Sequence, residues 1–445
     1  MNDHHVDRRA ALRRLAMLAG GGVALAGVGA TTTPARAATE PVRTQARIAI
    51  VGAGAAGLAA ASRLSQRLQG AQITLIDARR EHYYQPGYTL VGAGIKPASY
   101  VVSTTQEYIP RGVEWVQEAA AELDPDARKV VTASGRAVPY DFLIVACGLE
   151  LNYGGIEGMD PGLIGREGIG SVYYGPQAAA ETWKTMAAFA QKGGVALMGR
   201  PHTDMKCAGA PLKYTFITDD RLRRAGTRGK AELHYFAPQK TLFSVPIVAE
   251  KVRMLFQDRG VKTHLEHRLV AIDAGRRIAT YESPAGRTEM QWDFIHVVPP
   301  MRAPEVVRNS PLPWQDGPFA RESWLEVDRE TLRHKRYANV FGVGDIAGVP
   351  KGKTAASVKW QVPVAVDHLI GDITGKPSSE TYNGYTSCPL ITRLGRAMLI
   401  EFDYHDNLYQ SFPGFIAPLE ELWVSWVMKT MALKPTYLSM LRGRA

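Results

Sequence analysis

The apolar run Arg47-Ile48-Ala49-Ile50-Val51 leads without a break into Gly52-Ala53-Gly54-Ala55-Ala56-Gly57 and an alanine-rich stretch to about Leu68. A short run with no polar alternation is the pattern of a strand covered on both faces, and the stretch behind it predicts a helix. Gln72 to Ile76 reads as the next strand and ends in Asp77. Residues 140–148 repeat the form of a strand followed by a glycine turn, as do residues 337–345, after which Lys353-Thr354-Ala355-Ala356 opens another helix. Between them, Gly193-Gly194-Val195-Ala196-Leu197-Met198-Gly199 reads as a further strand. Strands alternating with helices predict an α/β architecture built on parallel sheets.

Near the end of the chain the pattern changes. Leu419, Leu422, Trp423, Trp426 and Val427 recur at helical spacing, with Glu420, Glu421, Ser425 and Lys429 between them, and Pro435 interrupts the pattern. A second apolar patch follows at Tyr437, Leu438, Met440 and Leu441, then Arg442 and Arg444. The stripe over 419–433 is shorter than the roughly 20 residues a spanning helix needs, so it predicts a helix lying in a membrane interface.

The chain has 445 residues, 45% hydrophobic and 22% charged, which suits a folded, mostly soluble protein of two or three domains. Three cysteines exclude a disulfide-stapled scaffold and form no metal-ligand pairs. The net charge is +10, of which residues 1–37 carry five Arg and two Asp, leaving +7 with no dense basic block, so nucleic acid is not an expected partner. That first segment is an address. Asp7-Arg8-Arg9-Ala10-Ala11-Leu12-Arg13, a glycine-rich apolar run and Ala35-Arg36-Ala37 make a twin-arginine signal peptide over 1–37. This route exports folded proteins, so it predicts a protein loaded with its cofactor before export and working in a periplasm.

Gly52, Gly54 and Gly57 form G-x-G-x-x-G between a strand and a helix, the turn that receives a pyrophosphate on a helix N-terminus; Asp77, 25 residues after Gly52, is placed to bind a ribose. The turn at Asp345 with Lys353 and a helix N-terminus suits the edge of a flavin, where reduction puts negative charge. The middle strand lacks a second cradle because Arg200-Pro201 follows Gly199, so a nicotinamide donor is not expected.

Three runs converge on one family: residues 83–94 (YYQPGYTLVGAG), residues 206–213 (KCAGAPLK) and residues 385–390 (YTSCPL). They resemble sulfide:quinone oxidoreductases of the branch that contains the mitochondrial enzyme, over about residues 45 to 442. The resemblance implies tandem Rossmann-like dinucleotide-binding domains of the glutathione reductase type with a C-terminal helical membrane-associating segment. The segments are then an FAD-binding part at 45–150, a second Rossmann-like domain at 151–310, a second FAD-binding part at 311–375 and a redox-cysteine and quinone segment at 376–445. It implies Cys207 and Cys388 as the redox pair, with Cys388 as persulfide carrier. It also implies FAD contacts at Gly54, Ala55, Asp77, Gln85, the Ala120 backbone, Asp345, Lys353 and Thr354. Hydrogen sulfide is the implied donor, membrane quinone the acceptor, and a small thiol or similar nucleophile takes the sulfane sulfur; a homo-oligomer is possible.

The residues themselves agree in part. Holding a sulfane sulfur while two electrons leave requires sulfur nucleophiles, and Lys206 beside Cys207 would favour a thiolate. Cys147 ends an apolar strand outside either motif and reads as packing. No cysteine lies between Asp77 and Cys147, which argues against a covalent flavin, and no C-x-x-C-H haem site occurs. His264 and His267, three apart in a strand-like region, are expected on opposite faces, and His202 reads as an ordinary histidine rather than a base. A flavocytochrome-type sulfide dehydrogenase subunit and a non-catalytic flavin-containing protein stay open at this point.

Overall fold

The computed structural model describes residues 40–414 and 416–444; the twin-arginine segment lies outside the described residues. Arg47–Val51 forms the centre of a five-stranded parallel sheet whose order is Val340–Gly342, Phe142–Val145, Arg47–Val51, Gln72–Ile76, Val113–Val116. Ile48, Ala49 and Ile50 are at most 1% exposed, which is why the strand carries no polar alternation. The helices Ala55–Arg67 and Ala355–Thr374 pack together against this sheet. The strand Val340–Gly342 comes from almost 200 residues beyond its neighbour Phe142–Val145 and brings the Asp345 turn beside the glycine loop.

A second parallel sheet runs Ile169–Gly170, Phe294–His296, Gly194–Gly199, Ala231–Ala237, Val261–Leu265. The helices Pro176–Lys192 and Ala210–Arg224 pack against it. An antiparallel meander, Arg268–Asp273, Ile278–Ser283 and Gly286–Gln291, fills the last crossover.

The C-terminal region ties the two units together. The hairpin Thr386–Arg393 with Arg396–Phe402 packs on the helix Ala210–Arg224 of the second unit. Leu394 N donates to Asp220 at 3.0 Å, and Arg259, bonded to the Thr392 carbonyl, also pairs with Glu421 at 3.0 Å. The final helix packs on the first unit: Ser62 Oγ donates to the Leu441 carbonyl at 2.6 Å and Gln66 to that of Arg442 at 2.9 Å.

This region departs from the expected stripe. Leu419 and Leu422 precede the helix, and Leu422 is extended, exchanging backbone hydrogen bonds with Ala397 as an added edge of the hairpin. Helix begins at Trp423, and Val427 is buried while Trp423 and Trp426 are half-buried. Pro435 does not interrupt the element: Trp423–Val427 passes through a π-helical turn, Met428–Ala432, into Leu433–Leu441. A widened turn just before a proline accommodates the hydrogen bond that its missing N–H cannot make. Tyr437, Met440 and Leu441 are at most 7% exposed, so the second patch is core rather than membrane surface. Exposed large apolar side chains include Met431 at 65% and, on the helix Ala355–Thr374, Trp360 at 50%.

Candidate active site

A cavity of about 610 Å³ runs from the glycine loop to the C-terminal hairpin. The three motif glycines meet it differently. A Cβ on Gly57 would lie 1.7 Å from the Gly52 carbonyl, so glycine there lets the helix close on the loop, and Gly52 makes the turn at φ +104°. A Cβ on Gly54 meets nothing within 4 Å, and the helix Ala55–Arg67 that it precedes has no capping side chain. Gly54 and Ala55 line the cavity; Gly52 and Gly57 stand behind them. An open cradle before uncapped N–H groups is what a pyrophosphate fills. Tyr84 Oη and Thr89 Oγ1, on residues lining the same cavity, are buried with no hydrogen-bond partner. The residues present therefore fit the FAD that the resemblance implies.

Asp77 follows its strand directly. One oxygen accepts from Ala53 N at 2.7 Å and from Arg79 at 3.0 Å; the other accepts from Arg79 N at 2.8 Å. Burial raises its pKa, but these bonds outweigh burial and hold the carboxyl below its ordinary value. Gln85, Asp345, Lys353 and Thr354 line the cavity with them. Lys353 Nζ donates to the carbonyls of Asp345 at 2.7 Å and Ala347 at 3.0 Å and lies 3.6 Å from the Trp324 ring centroid. Burial pulls its pKa down to about 8. Thr354 caps the helix behind it by accepting from Ser357 N at 3.1 Å. Ala120 is not brought to the cavity: it opens the strand Ala120–Asp124 of a separate three-stranded sheet.

The sulfurs come from different elements. Cys207 precedes the helix Ala210–Arg224 in the left-handed region, φ +50°, a strained conformation for a residue with a Cβ. Its N–H donates to the Lys353 carbonyl at 2.9 Å, tying the sulfur to the Asp345–Lys353 side of the cavity. Cys388, 5% exposed, lies in the strand Thr386–Arg393 beside Gly209, where an added Cβ would come within 2.1 Å of its Sγ. The two sulfurs are in hydrogen-bonding contact. That bond, then Lys213 and Lys429, holds the Cys207 pKa well below its ordinary value against the effect of burial. Cys388, donating to Cys207 and itself buried, is pushed well above. The ammonium of Lys213, 3.4 Å from Cys207 Sγ, favours placing the negative charge of the pair on Cys207.

The lysine in contact with it is not the adjacent one, although Lys206 and Cys207 still attract each other. Lys206 Nζ donates to Gln85 Oε1 at 2.7 Å, whereas Lys213 Nζ, 2% exposed, reaches Cys207 Sγ at 3.4 Å. Burial lowers the Lys213 pKa, but the two sulfurs raise it more, and the net direction is up. Lys429, on the π-helical turn and 3% exposed, donates to the Pro86 carbonyl at 2.7 Å. Burial, with Lys213 adding, brings its pKa down to about 7 although both sulfurs pull upward. Lys429 has no local signal in the sequence, where it reads as the polar side of a stripe. Lys213 does have one: it lies one turn inside a helix that opens just after Cys207.

Cys147 lines the cavity wall at the glycine loop, and burial pushes its thiol up to about 12. It is a packing residue with one face on the site. His202 does not line the cavity. The ring centroids of His264 and His267 lie 5.8 Å apart, not on opposite faces, because the strand ends at Leu265 and Glu266 turns the chain at φ +58°. Among the described residues no group of three or more His, Cys, Asp or Glu could hold a metal ion.

The fold and site define a class first: residues 46–184 match the family model described as pyridine nucleotide-disulphide oxidoreductase. Over the whole chain the similarity is to sulfide:quinone oxidoreductases. The mitochondrial enzyme of Mus musculus is 36% identical, with 82% of this chain and 80% of the relative covered; that of Dictyostelium discoideum is 35% identical, with 89% and 86% covered. The crystal structure of the Aquifex aeolicus sulfide:quinone oxidoreductase has the same fold, with a TM-score of 0.74 at 21% identity and 90% and 92% of the two chains covered. The chain belongs to the sulfide:quinone oxidoreductase family.

Proposed function

We propose that this protein is an enzyme that oxidises hydrogen sulfide and passes two electrons to a quinone. The observation that carries the reading is the placement of Cys207 and Cys388, with Lys213, on the wall of the cavity that the Gly54 cradle opens into. When the pair is a disulfide, HS⁻ attacks Cys388 Sγ, the S–S bond breaks, and the product is a persulfide on Cys388 and a thiolate on Cys207. Lys213 and Lys429, both buried, stabilise that thiolate. A small thiolate then takes the outer sulfur of Cys388, and the two thiolates close to a disulfide with release of two electrons. FAD, when bound, supplies the two-electron relay between this sulfur chemistry and the quinone. Gly54, Ala55, Asp77, Gln85, Asp345, Lys353 and Thr354 would hold it without a covalent bond, since Cys147 is the one cysteine near the cradle and its thiol is held neutral.

The quinone is a membrane substrate, so the enzyme works on a membrane surface. Among the described residues no helix is long and apolar enough to cross a membrane. Peripheral attachment through exposed apolar side chains such as Met431 and Trp360 is the arrangement we favour, and the twin-arginine motif supports a periplasmic location. The test is anaerobic: sulfide should bleach the flavin of the purified protein, and decylubiquinone should restore the colour. No bleaching would remove the reading. Replacing Arg8 and Arg9 by Lys should leave a folded, FAD-loaded precursor in the cytoplasm; unchanged export would remove the location.

A further inference from the structure

The cavity continues past Cys388 to an end lined by Trp360, Tyr385, Pro389, Leu399, Phe412 and Met428. One carboxyl interrupts this lining. Glu401 also lines the cavity, from the strand Arg396–Phe402, in register with Ser387 and next to Ile400, the partner of Cys388. It is 4% exposed. Its Oε1 accepts from Ser411 Oγ at 2.6 Å and from Tyr385 Oη, and its Oε2 accepts from Ser411 N at 3.1 Å. Among the described residues no lysine, arginine or histidine forms an ion pair with it. A buried carboxyl held only by hydroxyls and an amide is a costly choice for stability, and a clamp between hairpin and loop could be made with a neutral amide.

Its position suggests what the carboxyl is for. Ser411 is exposed to solvent, Tyr385 lines the cavity, and Glu401 joins the two in an unbroken chain of hydrogen-bonding oxygens. Reducing a quinone consumes two protons as well as two electrons, and a mainly apolar lining offers few groups to supply them. We propose that Glu401 delivers the protons taken up by the electron acceptor at this end of the cavity, with Ser411 admitting them from solvent and Tyr385 aiming the carboxyl. This rests on the function proposed above. For each turnover the acceptor gains two electrons from sulfide and two protons from Glu401, and Glu401 regains each proton from water along Ser411. The other titratable groups facing this end are Lys359 and Lys429, from two helices, and Tyr385; Tyr409 lies behind them, its ring 5.7 Å from that of Tyr385 and its hydroxyl 3.2 Å from Asp403.

The test uses Glu401→Gln holoenzyme with its FAD content measured. The flavin is reduced with sulfide, then re-oxidised in separate stopped-flow runs by decylubiquinone, which needs protons, and by ferricyanide, which does not. Both are run in H₂O and D₂O. We expect re-oxidation by decylubiquinone to slow by at least about tenfold with a larger solvent isotope effect, and re-oxidation by ferricyanide to stay within about twofold of wild type. Wild-type rates with decylubiquinone in both solvents would overturn the proposal. Equal slowing with both acceptors would also overturn it, since Glu401 would then only shape the pocket. If Glu401→Gln does not hold FAD, Ser411→Ala keeps the carboxyl and decides: slower quinone reduction with a raised isotope effect supports the relay, and unchanged kinetics overturn it. Wild-type enzyme that is re-oxidised by ferricyanide but never by decylubiquinone would overturn the underlying function, and this proposal with it, before any variant is made.

Discussion

The two Rossmann-like units bring a helix N-terminus to the same cavity by different routes. In the first, three residues separate the strand Arg47–Val51 from the helix Ala55–Arg67, and the turn is a bare glycine cradle. In the second, ten residues, 200–209, separate Gly194–Gly199 from Ala210–Arg224, and that longer connection carries Lys206 and Cys207. The same architecture therefore offers one end to a pyrophosphate and the other to a thiolate. Both ligands are anions, and N–H groups at a helix start favour either. The connection that carries no nucleotide cradle is the one that carries the sulfur.

The sharpest break in this comparison is at the sulfurs. Cys207→Ser and Cys388→Ser should each lower sulfide-driven flavin reduction by about a thousandfold or more while FAD stays bound, because neither hydroxyl can hold the sulfane sulfur. Cys147→Ser, in the first unit, should keep the reaction. Rapid-mixing kinetics with FAD content as control checks all three, and substantial activity in either of the first two removes the assignment of the pair.

The cradle of the first unit can be broken in two distinguishable ways. Gly57→Ala drives a methyl into the Gly52 carbonyl, so the apo fold should lose about 1 to 3 kcal/mol or more. Gly54→Ala adds a methyl to open space at a φ of −77°, so apo stability should hold while FAD affinity falls by about tenfold, ~1.4 kcal/mol. Thermal melts of apo protein and FAD titrations separate the two. Loss of apo stability in Gly54→Ala would show that the cradle is packed rather than open.

These contrasts also mark how far the sequence is legible. The glycine turn is local: strand, loop, helix and Asp77 are contiguous, so their geometry follows from spacing. The sulfur pair is not. Cys207 and Cys388 meet only because the hairpin packs on the helix Ala210–Arg224, and resemblance rather than periodicity brings them together on the page. Lys206 was the expected thiolate partner because it is adjacent, but adjacency in a connection at φ +50° does not give direction, and Lys213, inside the helix, reaches the sulfur instead. The C-terminal stripe misleads for a related reason. Helical spacing at Leu419, Leu422, Trp423 and Trp426 does not distinguish a membrane face from a half-buried face, and Leu422 joins the hairpin edge because Ala397 offers unpaired backbone groups there.

In the second unit the thiolate should depend on its cations. Lys213→Met removes the ammonium 3.4 Å from Cys207 Sγ, so the Cys207 pKa rises. The thiolate then exists only at higher pH. The acid limb of sulfide-driven flavin reduction should move to higher pH, with the rate near pH 7 falling by about tenfold and recovering as pH rises. Lys429→Met should move it the same way by less, since Lys429 ranks behind Lys213 among the influences on Cys207. The ionisation of sulfide is common to all the curves and cancels in the comparison. An unmoved limb would mean that the hydrogen bond from Cys388 alone holds the thiolate.

The C-terminal helix reaches the cradle of the first unit through Tyr437. Tyr437 Oη lies 2.8 Å from His82 Nε2, and His82 lines the cavity with Ala53 of the glycine loop. Burial brings the His82 pKa down to about 4, so the ring is neutral, and with its proton on Nδ1 the Nε2 accepts from the tyrosine hydroxyl. Tyr437→Phe leaves that acceptor buried and unpaired, and the fold should lose about 1 to 3 kcal/mol at pH 7.5. The pH dependence has a definite sign. His82 titrates near 6.5 in the unfolded chain and near 4 in the folded one, so the unfolded chain binds more protons between these values and wild-type stability falls as pH drops through them. The tyrosine hydrogen bond favours the neutral ring; without it the folded pKa rises and the acid loss is shallower. The difference in unfolding free energy between variant and wild type should therefore narrow as pH approaches 4. Denaturant melts at several pH values measure it, and a constant difference would mean that Tyr437 acts through packing and not through the ring that supports the cradle.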